Sequence, residues 1–248
     1  MNLNSFFNKK RIIILTSTII LTLIYYFSSL YYIRLSPTRK NIVFFYLIFG
    51  ELFNYNIWLD FWQYIYQFLM SFILFFIFPV LIIKYYFRES IKDYGICIGN
   101  IKFNLLWTII GIIISPIFLF ISNDPELLNE YPLTKLALLN IQIFIVFNLC
   151  YILYYIGYEF IFRAYLQFGL KKDSNNKYST VIILTIQTII TTLFHIGKPL
   201  SEIIASAAVG PLFGYLTLKG KSFIWPVLIF HTLIGIFTNC APIFHFSF

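Results

Sequence analysis

LALLNIQIFIVFNLCYILYYIGYEFIFRAYLQFGL, residues 136–170, carries only two charged side chains, Glu159 and Arg163. Crossing the hydrocarbon core takes about 20 apolar residues, so the stretch is longer than one straight span needs. Its apolar character is continuous, which selects a helix over the alternating strands of a membrane barrel. The two charges stand four residues apart and so share one helical face. An ionisable group at membrane depth costs about 2.5–3.5 kcal/mol on insertion scales and persists because it is paired or functional.

The rest of the chain has the same character. Its 248 residues are 60% hydrophobic, 21% aromatic and 11% charged, with mean hydropathy +0.82. A soluble domain carries about 25% charged residues. The fold class is therefore all-α, a polytopic helical membrane protein of about seven to eight transmembrane helices. Candidate spans are Ile12–Ile33, Phe61–Ile83, Phe103–Ile121, Leu136–Leu170, Thr180–Ile196, Glu202–Leu218 and Phe223–Asn239. A further run, Ile42–Trp58, is interrupted by Glu51, Asn54 and Asn56. No linker or internal repeat divides the chain into separate folding units. The N-terminal apolar stretch is too long for a signal core and lacks a small-residue cleavage site, so it reads as an uncleaved first span.

The net charge of +8 does not indicate nucleic acid, because the basic residues sit in short clusters between apolar runs, as the positive-inside rule expects. Lys9, Lys10 and Arg11 place the N-terminus in the cytoplasm. The clusters Lys84/Arg88/Lys92/Lys102, Lys171/Lys172/Lys177 and Lys219/Lys221 then fit the same side only if Ile42–Trp58 does not cross. It is expected to be an interfacial or re-entrant piece, although Arg34, Arg39 and Lys40 then lie outside against the trend. The acidic loop Asp124–Glu130 should face the other side. Cys97, Cys150 and Cys240 form neither a disulfide framework nor a metal motif.

Three more ionisable groups lie in or beside apolar segments: His195 in TTLFHIGKP, Glu202 shortly after it, and His231 in WPVLIFHTLIG. At 1.5 Å per residue from the nearest basic cluster, Glu159 lies about 18 Å deep, His231 about 15 Å, Glu202 about 25 Å and His195 at most about 27 Å. One slab holds all four. Gly157 is expected to kink or break the long helix just before Glu159. Gly197 and Pro199 should end the His195 helix and open the next, with Ser201 beside them and Glu202 in its first turn. Glu159 and Arg163 could be a purely structural ion pair, and His195 a helix-end histidine bonded to a carbonyl. His231 is deeper and needs partners. His245 reads as interfacial, and the aromatic runs YYFSSLYY and LCYILYYIGY as lipid-facing packing.

Carboxylates with two histidines from separate helices suit either of two chemistries. They can hold a metal with an open water position, or act as a general base and carbonyl-polarising pair. Arg163 lowers the basicity of Glu159, so Glu159 suits organising the site and Glu202 is the freer carboxylate. A divalent metal such as zinc, on Glu159, His195 and His231, and a metal-free glutamate mechanism both remain open.

These segments resemble the CPBP family of intramembrane proteases, also called the Abi or CAAX-protease-like family. Its members carry E-E-x-x-x-R, F-x-x-x-H and H-x-x-x-N/D on three helices. Glu159 and Arg163 match the first motif, and His195 and His231 match the histidines in order. RESIKDYGI is similar to the segment before the family core, so the resemblance covers roughly residues 85–240. It implies N-terminal membrane helices over 1–84 and a protease core over 85–248. Three positions depart: Tyr158 stands for the water-activating first Glu, Thr191 for the Phe, and Gly235 for the Asn/Asp, with Asn239 a turn further. HIGKPLSE (195–202) is similar to a subgroup with an aromatic in place of the first Glu and an H-x-G-K-P-x-x-E segment. The resemblance implies that Glu202 takes the role of the lost Glu.

The function implied is an intramembrane endopeptidase acting on membrane-anchored or leader peptides in the bilayer, with Glu202 or Glu159, together with His195, activating water, His231 polarising the peptide carbonyl, and the protein expected in a bacterial cell membrane. The alternative is a catalytically inactive relative, a pseudoprotease or immunity-type protein binding a peptide in the same cavity. A small transporter using the polar slab is a third reading.

Overall fold

A computed structural model describes residues 8–30, 32–36, 39–50, 52, 57–171 and 177–246. The chain runs through α1 (Lys9–Leu30), a hairpin of β1 (Tyr32–Ser36) and β2 (Arg39–Ile42), α2 (Val43–Phe49) and α3 (Trp58–Phe87). It continues through α4 (Ile101–Phe120), α5 (Pro125–Glu130), α6 (Ile141–Lys171), α7 (Lys177–Phe194), α8 (Leu200–Gly220) and α9 (Ile224–His245). Apart from the hairpin the fold is helical, as a chain without water to bond its backbone must be. Six helices, α1, α3, α4, α6, α8 and α9, are long and apolar enough to cross a membrane, and the apolar part of α7, Ser179–Phe194, is shorter.

Helix starts are fixed by side-chain caps. Asn8 accepts from the Arg11 amide at 2.9 Å, Asn100 from Phe103 at 3.3 Å, and Asn140 from Gln142 at 2.7 Å. The Asn140 cap moves the start of the long span from the expected Leu136 to Ile141. Residues Lys135–Leu138 form a short 3-10 turn instead.

One end of the bundle collects the basic clusters. Lys10 pairs with Glu89 at 2.7 Å, joining the start of α1 to the end of α3. The Asn100 amide donates to Gly220 O at 2.8 Å, and Cys97 Sγ meets Lys221 O at 3.0 Å, joining α4 to the end of α8. Gly169, near the end of α6, lies against Ile14 and Tyr94. At the opposite end, α2 packs on α3 through Ile42, Phe45 and Leu59. The Ile42 amide also donates to Gln63 Oε1 at 3.0 Å. Seven residues of α2 reach about 10 Å and cannot cross, so the segment after β2 turns back at that end. Glu51, Asn54, Asn56 and Lys172 lie outside the described residues.

α6 is the central element. From Tyr158 to Leu166 its side chains are at most 3% exposed, the pattern of a helix enclosed on all sides. Two expectations are corrected here. The helix does not break at Gly157. It continues through Glu159 into a wider π turn, Phe160–Tyr165. Gly157 is instead where α3 comes closest, since a Cβ there would lie 2.4 Å from Ser71 O. Nor is LCYILYYIGY a lipid-facing run: Tyr151, Tyr155 and Tyr158 are at most 5% exposed and face the interior.

Candidate functional site

Glu159 ends the α-helical part of α6, fully buried. Its Oε2 lies 3.6 Å from Arg163 Nε one turn on, and its Oε1 lies 2.5 Å from His231 Nδ1 on α9. The Gln187 amide from α7, its oxygen turned toward the cation, reaches Arg163 Nη1 at 2.5 Å. Both carboxylate oxygens therefore face protein cations or donors, which offsets the desolvation of a buried charge. A carboxylate at Nδ1 holds the proton there, leaving Nε2 of the one-fifth-exposed His231 side chain as the working nitrogen.

The second pair is made by the α7–α8 turn. α7 ends at Phe194, Gly197 takes φ +91°, and Pro199 (φ −50°) precedes α8. This short reversal brings Glu202, in the first turn of α8, back over His195, with Oε1 to Nε2 at 3.9 Å. His195 Nδ1 bonds Thr191 O at 2.7 Å, so its proton sits on Nδ1 and Nε2 faces the glutamate. Glu202 Oε2 accepts from the Tyr131 hydroxyl at 3.0 Å. Burial, and then the Glu202 charge, push the Tyr131 hydroxyl well above the usual tyrosine range. Tyr131 is therefore a permanent donor to Glu202. The Glu202 side chain is 23% exposed, against none for Glu159.

Tyr158 stands between the pairs. Its ring is 5.5 Å from that of His231 and 6.1 Å from that of His195, centroid to centroid, both edge-on. Two cavities meet there. The smaller, about 50 Å³, is rich in tyrosine and lined by Tyr131, Tyr151, Tyr154 and Tyr155 among others. The larger, about 230 Å³, lies between α8 and α9 and has apolar walls from Phe118, Leu127, Val209, Phe213 and Ile234. His195, Glu202 and His231 line both.

The structure thus brings together Glu159, Arg163, His195, Glu202 and His231 as two carboxylate–histidine pairs on one space. Asn239 is elsewhere: it is buried, and its Nδ2 bonds Asn148 Oδ1 at 3.0 Å. His245 Nε2 meets Leu119 O at 3.0 Å, tying the end of α9 to α4. Sequence reasoning missed Tyr131, Tyr151 and Tyr155. The available signal was the four-residue spacing of Tyr151, Tyr155 and Glu159, which puts them on one face of α6. Among the described residues no three His, Cys, Asp or Glu side chains group so as to hold a metal ion, and Glu159, His195 and His231 are no exception.

Fold and site together define a class: a polytopic helical membrane protein with paired ionisable groups enclosed among its helices. Residues 140–237 match the family described as Rce1-like, type II CAAX prenyl endopeptidase Rce1-like, consistent with a CPBP family protease. The match takes in α6 to α8, the first part of α9 and all five site residues. No curated protein and no solved structure matches the chain.

Proposed function

We propose that the chain is an intramembrane endopeptidase in which Glu202 activates water and His231 polarises the scissile carbonyl. The observation that carries this reading is the division of labour between the carboxylates. Glu159 is fully buried, with Oε1 on His231 and Oε2 3.6 Å from Arg163, whereas Glu202 opens to the cavity beside His195 Nε2. Glu202 takes a proton from water as the oxygen attacks the carbonyl carbon, with His195 Nε2 helping to orient that water. As the C–N bond breaks, Glu202 returns the proton to the leaving amine. His231, held through Nδ1 by Glu159, turns Nε2 to the carbonyl oxygen, and Arg163 neutralises the buried carboxylate behind it. Substrates are membrane-anchored or leader peptides entering the apolar cavity from the bilayer of a bacterial cell.

Cleavage of labelled membrane peptides by the purified protein tests the reading. Glu202→Gln and His231→Ala should each lower kcat by about 10²-fold or more, with and without chelator. Full activity in Glu202→Gln would remove Glu202 as the base. A second reading, a non-catalytic peptide-binding relative, is favoured by Tyr158, whose ring fills the space between the histidines. Peptide binding without cleavage by the wild type would select it.

A further inference from the structure

A water-activating group and one histidine do not complete an acyl-transfer site, because the oxygen that gains charge is best held by two preorganised donors. The backbone amides of α9 beside His231 are engaged within the helix, so the second donor must be a side chain. Several hydroxyls line the larger cavity with His231, and three of them are Thr238, Tyr158 and Tyr155. Thr238 donates to Ile234 O at 2.9 Å, and the Tyr158 hydroxyl accepts from Thr191 and so lies against α7 rather than α9. The third is Tyr155. It packs its ring 4.8 Å from the imidazole of His231. Its hydroxyl crosses to α9 over Gly235, one turn after His231, where a Cβ would meet Tyr155 Oη. Only a residue without a side chain admits the hydroxyl there. Tyr155 is also bonded to the Tyr151 hydroxyl, which is in turn bonded to Tyr131, the donor to Glu202. The Tyr155 O–H is turned toward Tyr151, and rotation about its C–O bond can bring the proton to a ligand oxygen while Tyr151 donates back to Tyr155.

We infer that Tyr155 is a catalytic residue: its hydroxyl, admitted beside His231 by Gly235, donates a hydrogen bond to the oxyanion formed at the scissile carbonyl. The inference rests on the endopeptidase reading and adds to it a residue from α6. No covalent bond to Tyr155 forms: its O–H shortens its hydrogen bond to the oxygen as charge develops and relaxes when the C–N bond breaks.

The test compares the full-length wild type with Tyr155→Phe in kcat and KM on a cleaved membrane peptide. It also compares their affinities for a phosphinate analogue of that peptide and for a non-cleavable ground-state peptide. The expected result is a kcat lowered by about 10²-fold with KM unchanged. Phosphinate affinity should fall in parallel while ground-state affinity holds. Gly235→Ala should imitate Tyr155→Phe by displacing the hydroxyl, and the double variant should lose no more than either single one. Wild-type kcat in Tyr155→Phe, or equal loss of affinity for both ligands, overturns the inference while leaving the endopeptidase standing. A wild type that cleaves no peptide defeats the endopeptidase and this inference with it.

Discussion

Arg163 is 3% exposed and Glu159 not at all, so either charge alone would be stranded in a medium that solvates it poorly. Removing one member of such a pair typically destabilises by about 3–5 kcal/mol, whereas removing both can be nearly neutral. Arg163→Met should therefore lower the thermal unfolding temperature in detergent sharply, and adding Glu159→Gln should restore most of it. An Arg163→Met protein as stable as wild type would show that His231 suffices to hold the carboxylate. At this scale the ionisable residues were legible in the sequence, because a charge in an apolar run stands out by its energetic cost. The tyrosines were not. A tyrosine is at home at the membrane interface, in a core and in a site alike, so Tyr155 could be distinguished only once α9 was seen to leave room for it at Gly235.

The helix that carries Glu159 is positioned by a close approach rather than by a turn. Gly157 lets the backbone of α3 at Ser71 lie against α6, with no flexible side-chain end to yield: a Cβ would be 2.4 Å from the carbonyl oxygen and 2.7 Å from its carbon. Gly157→Ala should force α3 and α6 apart and cost about 1–3 kcal/mol, the usual range for overpacking. Because Glu159 is only two residues further on, the same variant should weaken the alignment of Glu159 with His231. The check is unfolding in detergent beside peptide cleavage. A stable variant with full activity would mean that the helices can slide apart without disturbing the pair. Element lengths were read well from hydropathy, since span length is set by the bilayer. The π turn after Glu159 was not readable: nothing in FIFRAY by composition separates it from ordinary helix. Gly157 was visible as an exception in a helical run, but whether a glycine bends a helix or admits a neighbour depends on the neighbour.

Across the whole molecule the positions of the helix ends decide which parts share a side. The starts of α1, α4 and α9 and the ends of α3, α6 and α8 meet at one pole through the Lys10–Glu89, Asn100–Gly220 and Gly95–Phe223 contacts. The opposite pole holds α2, α5 and the α7–α8 turn. There Ser201 donates to Asp124 at 2.7 Å and Lys198 pairs with Glu130 at 3.3 Å, so the acidic connection between α4 and α6 is fastened beside the outer pair. Cytoplasmic loops attract lysine and arginine, so the expected orientation puts the basic pole in the cytoplasm and the Glu202 end of the cavity at the other face. Single-cysteine variants at the exposed positions Lys92 and Glu126, on a background lacking Cys97, Cys150 and Cys240, test this in intact cells. A membrane-impermeant maleimide should label Glu126→Cys at once and Lys92→Cys only after the membrane is opened. The reverse order would invert the orientation and leave the bundle unchanged. Labelling of both from one side would instead require α4 not to cross, because α4 alone separates the two positions, and would overturn the bundle itself.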